Sequence, residues 1–146
     1  MSDKIELDQY VPYFLGTIAN RWTAASSRRY LREFGVGIAE WRVLASLRTL
    51  GQATSLDAAN LTGMDPAAVT RALSQLQEKG CAEPVAGRFA GRTKPFALTG
   101  KGMSLYADMR RVAQDREAIL LQDLTESDRE ELLRLLRLLH ARLPEL

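Results

Sequence analysis

The chain has one cysteine, one histidine and few aromatic residues, 7% of its 146 positions. Cys81 alone forms no disulfide within the chain, which fits a reducing compartment and gives the expectation of a cytoplasmic protein. The one histidine, His140, lies in a leucine-rich stretch without an acid or cysteine pattern around it. It reads as a surface or interface residue and not as a catalyst. No P-loop, metal-ligand spacing or nucleophile motif is present, so an enzyme, a metal and a cofactor are all set aside. No apolar run approaches the ~20 residues of a membrane helix. The start, Met1-Ser2-Asp3-Lys4-Ile5-Glu6, is acidic and polar, unlike a secretory signal. Net charge is only +2, a weak indication of nucleic acid. Its distribution says more: from Val85 to Lys101 there are Arg88, Arg92, Lys94 and Lys101 and no acid.

What is present is a globular composition, 46% hydrophobic and 26% charged. The length suits one domain with a sizeable core, or a compact DNA-binding unit with an oligomerisation element. The most informative stretch runs from Asp65 to Gly80. Asp65 suits a helix cap, Pro66 the first turn and Gly80 the left-handed turn beyond the last. Val69, Leu73 and Leu76 form a narrow stripe for burial. The opposite face carries Ala67, Ala68, Thr70, Arg71, Ser74 and Gln75: small or hydrogen-bonding residues, one cation and no acid. A solvated face normally mixes Lys with Glu. A face lying against DNA needs small residues for close approach and Arg, Ser, Thr and Gln for phosphates and base edges.

The remaining elements frame that helix. Val11, Phe14, Leu15, Ile18, Trp22 and Ala25 predict a long helix from about Asp8 to Arg32, ended by Phe34-Gly35-Val36-Gly37. A second helix covers about Ile38 to Leu50, with Trp41, Leu44, Ala45 and Leu47 facing inward. A third, capped by Thr54 or Ser55, carries Leu56, Ala59 and Leu61 and stops at Gly63. Two short helices joined by a tight glycine-containing turn are the helix-turn-helix pattern. Cys81–Ala86 and Lys94–Leu98 then read as a hairpin with a basic, glycine-rich tip, a wing for the DNA backbone or minor groove. Pro84 and Pro95 each remove a ladder donor, so both strands should be short and edge-like. Thr99 caps a helix to about Gln122, and Thr125 with Asp128 opens the last. There Leu132, Leu133, Leu135, Leu136, Leu138, Leu139 and Leu143 cover too wide an arc for a lone surface helix. One side should pack on the chain's own core and the other on a second copy of the chain.

Over nearly its whole length the chain resembles the multiple-antibiotic-resistance regulator (MarR) family of winged-helix transcription factors. The resemblance rests on Trp41-Arg42-Val43-Leu44-Ala45-Ser46-Leu47, Ala59 through Gly63, and Val69-Thr70-Arg71. It continues in Leu76, Lys79-Gly80 and Leu98-Thr99-Gly100-Lys101-Gly102. It implies a mainly α fold with a small β-hairpin wing, a winged helix-turn-helix flanked by N- and C-terminal dimerisation helices. Residues 1–37 and 100–146 would form the dimerisation region, and 38–99 the DNA-binding lobe. It also implies a homodimer, and a crevice between dimer region and lobe that accepts small aromatic or acidic ligands. The chain departs from the family at the wing: Phe89 and Ala90 stand where an acid normally orients the wing arginine, and Pro84 falls in the strand. Arg92 keeps its place.

The functional expectation is a dimeric regulator, a repressor, binding double-stranded operator DNA. Ser55, Ala67, Ala68, Thr70, Arg71, Ser74, Gln75, Arg88, Arg92 and Lys94 are the DNA-binding candidates. Ser55 marks helix amides that can hold a phosphate. Tyr13, Arg21, Trp22, Arg28, Arg29 and Trp41 are the candidates for an aromatic-acid or acyl-thioester effector, rings stacking while guanidinium takes the anion. The alternatives are a thiol-based redox regulator acting through Cys81, although a buried structural cysteine fits better, and a winged-helix protein-interaction module.

Overall fold

The computed structural model describes residues 3–87, 89 and 93–146. Proline decides where the first long helix begins. Leu7–Gln9 form a separate 3-10 turn, Tyr10 is extended, and α1 (Val11–Phe34) starts with Pro12 in its first turn, not at Asp8. Pro12 has no N–H to bond back to an earlier turn but fits the first one, so the helix restarts there. The far end closes at Gly35, whose φ of 66° lets its N–H reach the Leu31 carbonyl at 3.0 Å.

α2 (Ile38–Leu50), α3 (Ser55–Thr62) and α4 (Pro66–Glu78) follow. Then come β1 (Ala82–Pro84), β2 (Phe96–Leu98), α5 (Gly100–Leu120) and α6 (Glu126–Arg142). The strands are antiparallel, Ala82 opposite Leu98 and Pro84 opposite Phe96. Both are short, as their prolines require. β2 is not an edge strand, however: Ala53 exchanges both backbone hydrogen bonds with Phe96, at 2.8 and 3.0 Å, on its other side.

The chain divides into two compact units, Met1–Met109 and Arg110–Leu146, with the boundary inside α5. The core of the first is Tyr30, Val36, Val43, Leu44, Leu47, Ala58, Val69, Leu73, Leu76 and Met109, all at most 2% exposed. Leu44 and Leu47 are buried as expected, while Trp41 and Ala45 are only half-buried. Only the C-terminal half of α1 contributes, through Ser26 and Tyr30. Val11, Phe14, Leu15 and Ile18, the apolar stripe that predicted the helix, are 43–54% exposed in the single chain. Leu56 and Leu61 of α3 are exposed too, and Ala58 and Ala59 seal that helix instead.

In the second unit, α6 opens with the expected capping box: Asp128 N–H donates to the Thr125 hydroxyl and Thr125 N–H to the Asp128 carboxylate. The Thr125 amide, with its hydroxyl as the lesser cause, holds the Asp128 carboxyl below its ordinary range. The carboxylate half of the cap is therefore complete above the ordinary carboxylate range and is lost as the pH falls through that lowered value. No residue of α6 is buried among the described residues. The expectation that one side of its leucine arc packs on the chain's own core is corrected: Leu133, Leu135, Leu136, Leu138, Leu139 and Leu143 all stay exposed.

Candidate nucleic-acid interface

α3, its turn and α4 form the helix-turn-helix. Thr54 caps α3 through a reciprocal pair with Asp57: Asp57 N–H donates to the Thr54 hydroxyl and Thr54 N–H to the Asp57 carboxylate. Gly63, at φ 70°, turns the chain, and Met64 N–H donates to the Thr62 hydroxyl. Asp65 occupies the cap position of α4, yet its side chain makes no capping bond, so it does not act as the expected cap. Pro66, in the first turn, supplies the start instead.

α4 is sharply two-sided. Val69, Ala72, Leu73 and Leu76 are at most 2% exposed. Burying each of the three larger side chains stabilises this packing by roughly 1.5–3 kcal/mol. On the other side Ala67, Thr70, Arg71, Ser74 and Gln75 are exposed and Ala68 is half-buried. The Arg71 guanidinium and the Gln75 amide have no hydrogen-bond partner among the described residues, which leaves their donors for a ligand. Thr70 differs: its hydroxyl donates to the Pro66 carbonyl at 3.0 Å, leaving its oxygen as an acceptor and its methyl for apolar contact.

Ser55 is half-buried at the first position of α3. The Asp57 carboxylate already sits over this helix end, so its negative charge opposes a phosphate there. Lys94 is exposed at the base of the hairpin tip. Arg88, Arg92 and Ala90 lie outside the described residues. Val85 N–H extends the hairpin by donating to the Pro95 carbonyl at 2.9 Å. Phe89, where an acid was expected, is half-buried with its ring beside Gly87. Lys101, counted with the basic wing segment, is used internally: its ammonium donates to the Lys79 carbonyl at 2.7 Å.

The ligand candidates do not come together. Tyr13 packs edge-on against Phe14 at 5.2 Å, exposed. Arg21 and Arg28 are exposed, Trp22 is half-buried, and Arg29 pairs with Glu33 at 2.7 Å one turn on. Trp41 alone lines an open depression of about 400 Å³, with Arg42, Ala45, Ser46, Thr49, Leu61 and Thr62. Its indole lies nearly parallel to the Tyr106 ring at 5.6 Å and tilted to Tyr30 at 5.8 Å. Arg42, which donates to the Thr23 hydroxyl at 2.9 Å, supplies the cation of this depression. Sequence reasoning missed it; the only available signal was its adjacency to Trp41. Cys81 is 2% exposed, its thiol 3.7 Å from the Lys79 carbonyl, a burial that shields it from oxidants.

No family model matches the chain. It is similar, at 28% identity over 118 residues, to an uncharacterised HTH-type transcriptional regulator, YwoH, of Bacillus subtilis. That match covers 81% of this chain and 85% of the relative. A MarR/EmrR family transcriptional regulator from Acinetobacter sp. ADP1 superposes with a TM-score of 0.90 at 29% identity, covering 97% of this chain and all of that one. BpsR of Bordetella bronchiseptica, a protein whose DNA binding is regulated by 6-hydroxynicotinic acid, superposes with a TM-score of 0.78 at 20% identity over 94% of this chain and 98% of its own. These relatives are regulators and not enzymes, and no helix of the described residues is long and apolar enough to cross a membrane. The two-sided α4, the hairpin behind it and the near-complete overlap with such proteins give one conclusion: the chain has the winged helix-turn-helix fold of MarR-family transcription regulators.

Proposed function

We propose that the chain acts in the cytoplasm as a homodimeric repressor that reads an inverted-repeat operator with α4 in the major groove. The outward face of α4 carries this reading: Arg71 and Gln75, without partners among the described residues, beside Ser74 and Thr70, with Ala67 and Ala68 permitting close approach. Arg71 pairs with guanine or a phosphate and Gln75 with adenine. Arg88, Arg92 and Lys94 grip the backbone or minor groove beside it, and Ser55 contributes at most a neutral contact. Residues 1–37 and 100–146 hold the two copies together, because α1 and α6 each leave a row of large apolar side chains in water that a second copy would cover. Two-fold symmetry then sets half-sites about one helical turn, ~10 base pairs, apart.

The depression at Trp41 and Arg42 favours a second element of this reading, release by a small aromatic acid or acyl-thioester ligand. The indole offers a stacking face and the guanidinium an anion partner. Such a ligand releases DNA only by favouring the non-binding geometry of the dimer over the competent one.

One assay tests both elements. Selection of bound duplexes from random DNA should return an inverted repeat of that spacing, with affinity falling steeply as salt rises. Adding benzoate-like acids and their coenzyme A esters should then weaken binding. Sequence-indifferent or salt-insensitive binding would remove the operator reading, and binding untouched by every acid and ester would remove the ligand.

A further inference from the structure

We propose that Lys79 is a positioning residue for DNA recognition: it clamps the C-terminal end of α4 to the α1–α2 turn and so fixes the pose in which α4 meets DNA. The inference rests on the reading of α4 as the helix that contacts DNA.

Lys79 follows the last residue of α4, and its side chain, 39% exposed, reaches across to α2. The ammonium donates to the Glu40 carboxylate at 2.6 Å and to the Gly35 carbonyl at 2.9 Å. Glu40, on α2, is only 6% exposed, and a carboxylate so placed requires a partner. Gly35 is the left-handed residue that ends α1. From the other side, Lys101 of α5 donates to the carbonyl of Lys79 itself. One residue thus joins α4 to the end of α1, to α2 and to α5. The opposite end of α4 has no side-chain cap bond, so the C-terminal end is the one held by polar contacts.

Arg71, Ser74 and Gln75 lie four to eight residues before the clamp, roughly 6–12 Å along the axis. A small pivot at Lys79 therefore displaces them from base edges. Two of the three donors of its ammonium are committed to Glu40 and Gly35, and the salt slope of binding separates this clamp from a phosphate contact. Loss of the clamp lowers the fraction of molecules whose α4 is correctly placed, and apparent affinity falls by that fraction.

The test compares full-length wild type, Lys79→Met, Lys79→Arg, Glu40→Gln, the double variant Lys79→Met with Glu40→Gln, and Arg71→Ala on a selected operator at several salt concentrations, with thermal unfolding alongside. Lys79→Met and Glu40→Gln should each bind about tenfold more weakly, the double variant no worse than the weaker single, and Lys79→Arg close to wild type. The slope of log affinity against log salt should be unchanged in all four clamp variants, whereas loss of a phosphate contact reduces it by about 0.9. Should Lys79→Met fail to fold, Glu40→Gln and Lys79→Arg carry the same comparison. Wild-type affinity in Lys79→Met or Glu40→Gln beside a weakened Arg71→Ala would overturn the clamp and leave the reading of α4 standing. A shallower salt slope in Lys79→Met would overturn it as well, by making Lys79 a phosphate contact. Wild-type affinity in Arg71→Ala too would overturn both.

Discussion

Gly102→Ala should destabilise the first unit severely, by about 3 kcal/mol or more, at the upper end of what overpacking a core costs. Gly102 is buried in the first turn of α5. A Cβ there would collide with the Cys81 carbonyl oxygen and lie 2.9 Å from its carbonyl carbon, both backbone atoms that no rotamer change can move. The same carbonyl accepts the Thr99 amide at 3.1 Å, while the Thr99 hydroxyl accepts the Gly102 amide at 3.1 Å and donates to the Gly80 carbonyl at 2.6 Å. Pushing the chains apart therefore breaks the junction between the end of α4, the hairpin and α5 together. For a chain of this size the unfolding midpoint should drop by roughly 10 °C. Gly100→Ala is the internal control: nothing lies within 4 Å of its added methyl, and it should remain within about 0.5 kcal/mol of wild type. Equal midpoints for the two variants would refute the close approach.

The second large effect concerns association. Leu135 and Leu139 are each 44% exposed and lie four residues apart, on one face of α6. Leu135→Glu combined with Leu139→Glu should leave the fold of the single chain intact, since neither side chain is in its core. Both would, however, introduce charge into a surface that the proposed dimer covers. Sedimentation should then show a monomer, and affinity for an inverted repeat should fall by about 10²–10⁴, the avidity contributed by a linked second lobe. Isolated half-sites should lose little. A doubly substituted protein that stays dimeric, or a wild type that is monomeric at micromolar concentration, would contradict this use of α6.

How much of this was legible in the sequence differs from element to element. α4 was readable because one helix satisfied two demands at once, with Val69, Leu73 and Leu76 inward and Arg71, Ser74 and Gln75 outward. Periodicity reports both faces directly. The same rule placed α1 and α6 but assigned one side of α6 to the chain's own core, because a leucine stripe states that burial is required and not by which surface. Asp65 had the right residue type for a cap and did not cap, since Pro66 alone suffices to start the helix. Lys79 with Glu40, 39 residues apart, and Gly102 against the Cys81 carbonyl were invisible as contacts. Each depends on tertiary approach, which spacing along the chain does not encode. The ligand candidates fared least well: arginines and aromatics of α1 share a helix but point around it, and only Trp41 reaches a concave surface.

The most direct test of the account is the operator affinity and base preference of Arg71→Ala, measured at one fixed salt concentration against wild type. The exposed Arg71 guanidinium has no partner among the described residues, so its removal should leave unfolding within about 0.5 kcal/mol of wild type. Affinity should fall by roughly 1–3 kcal/mol, with discrimination relaxed at one base position in each half-site. An Arg71→Ala protein that binds the operator with wild-type affinity and unchanged base preference would show that α4 is not the reader.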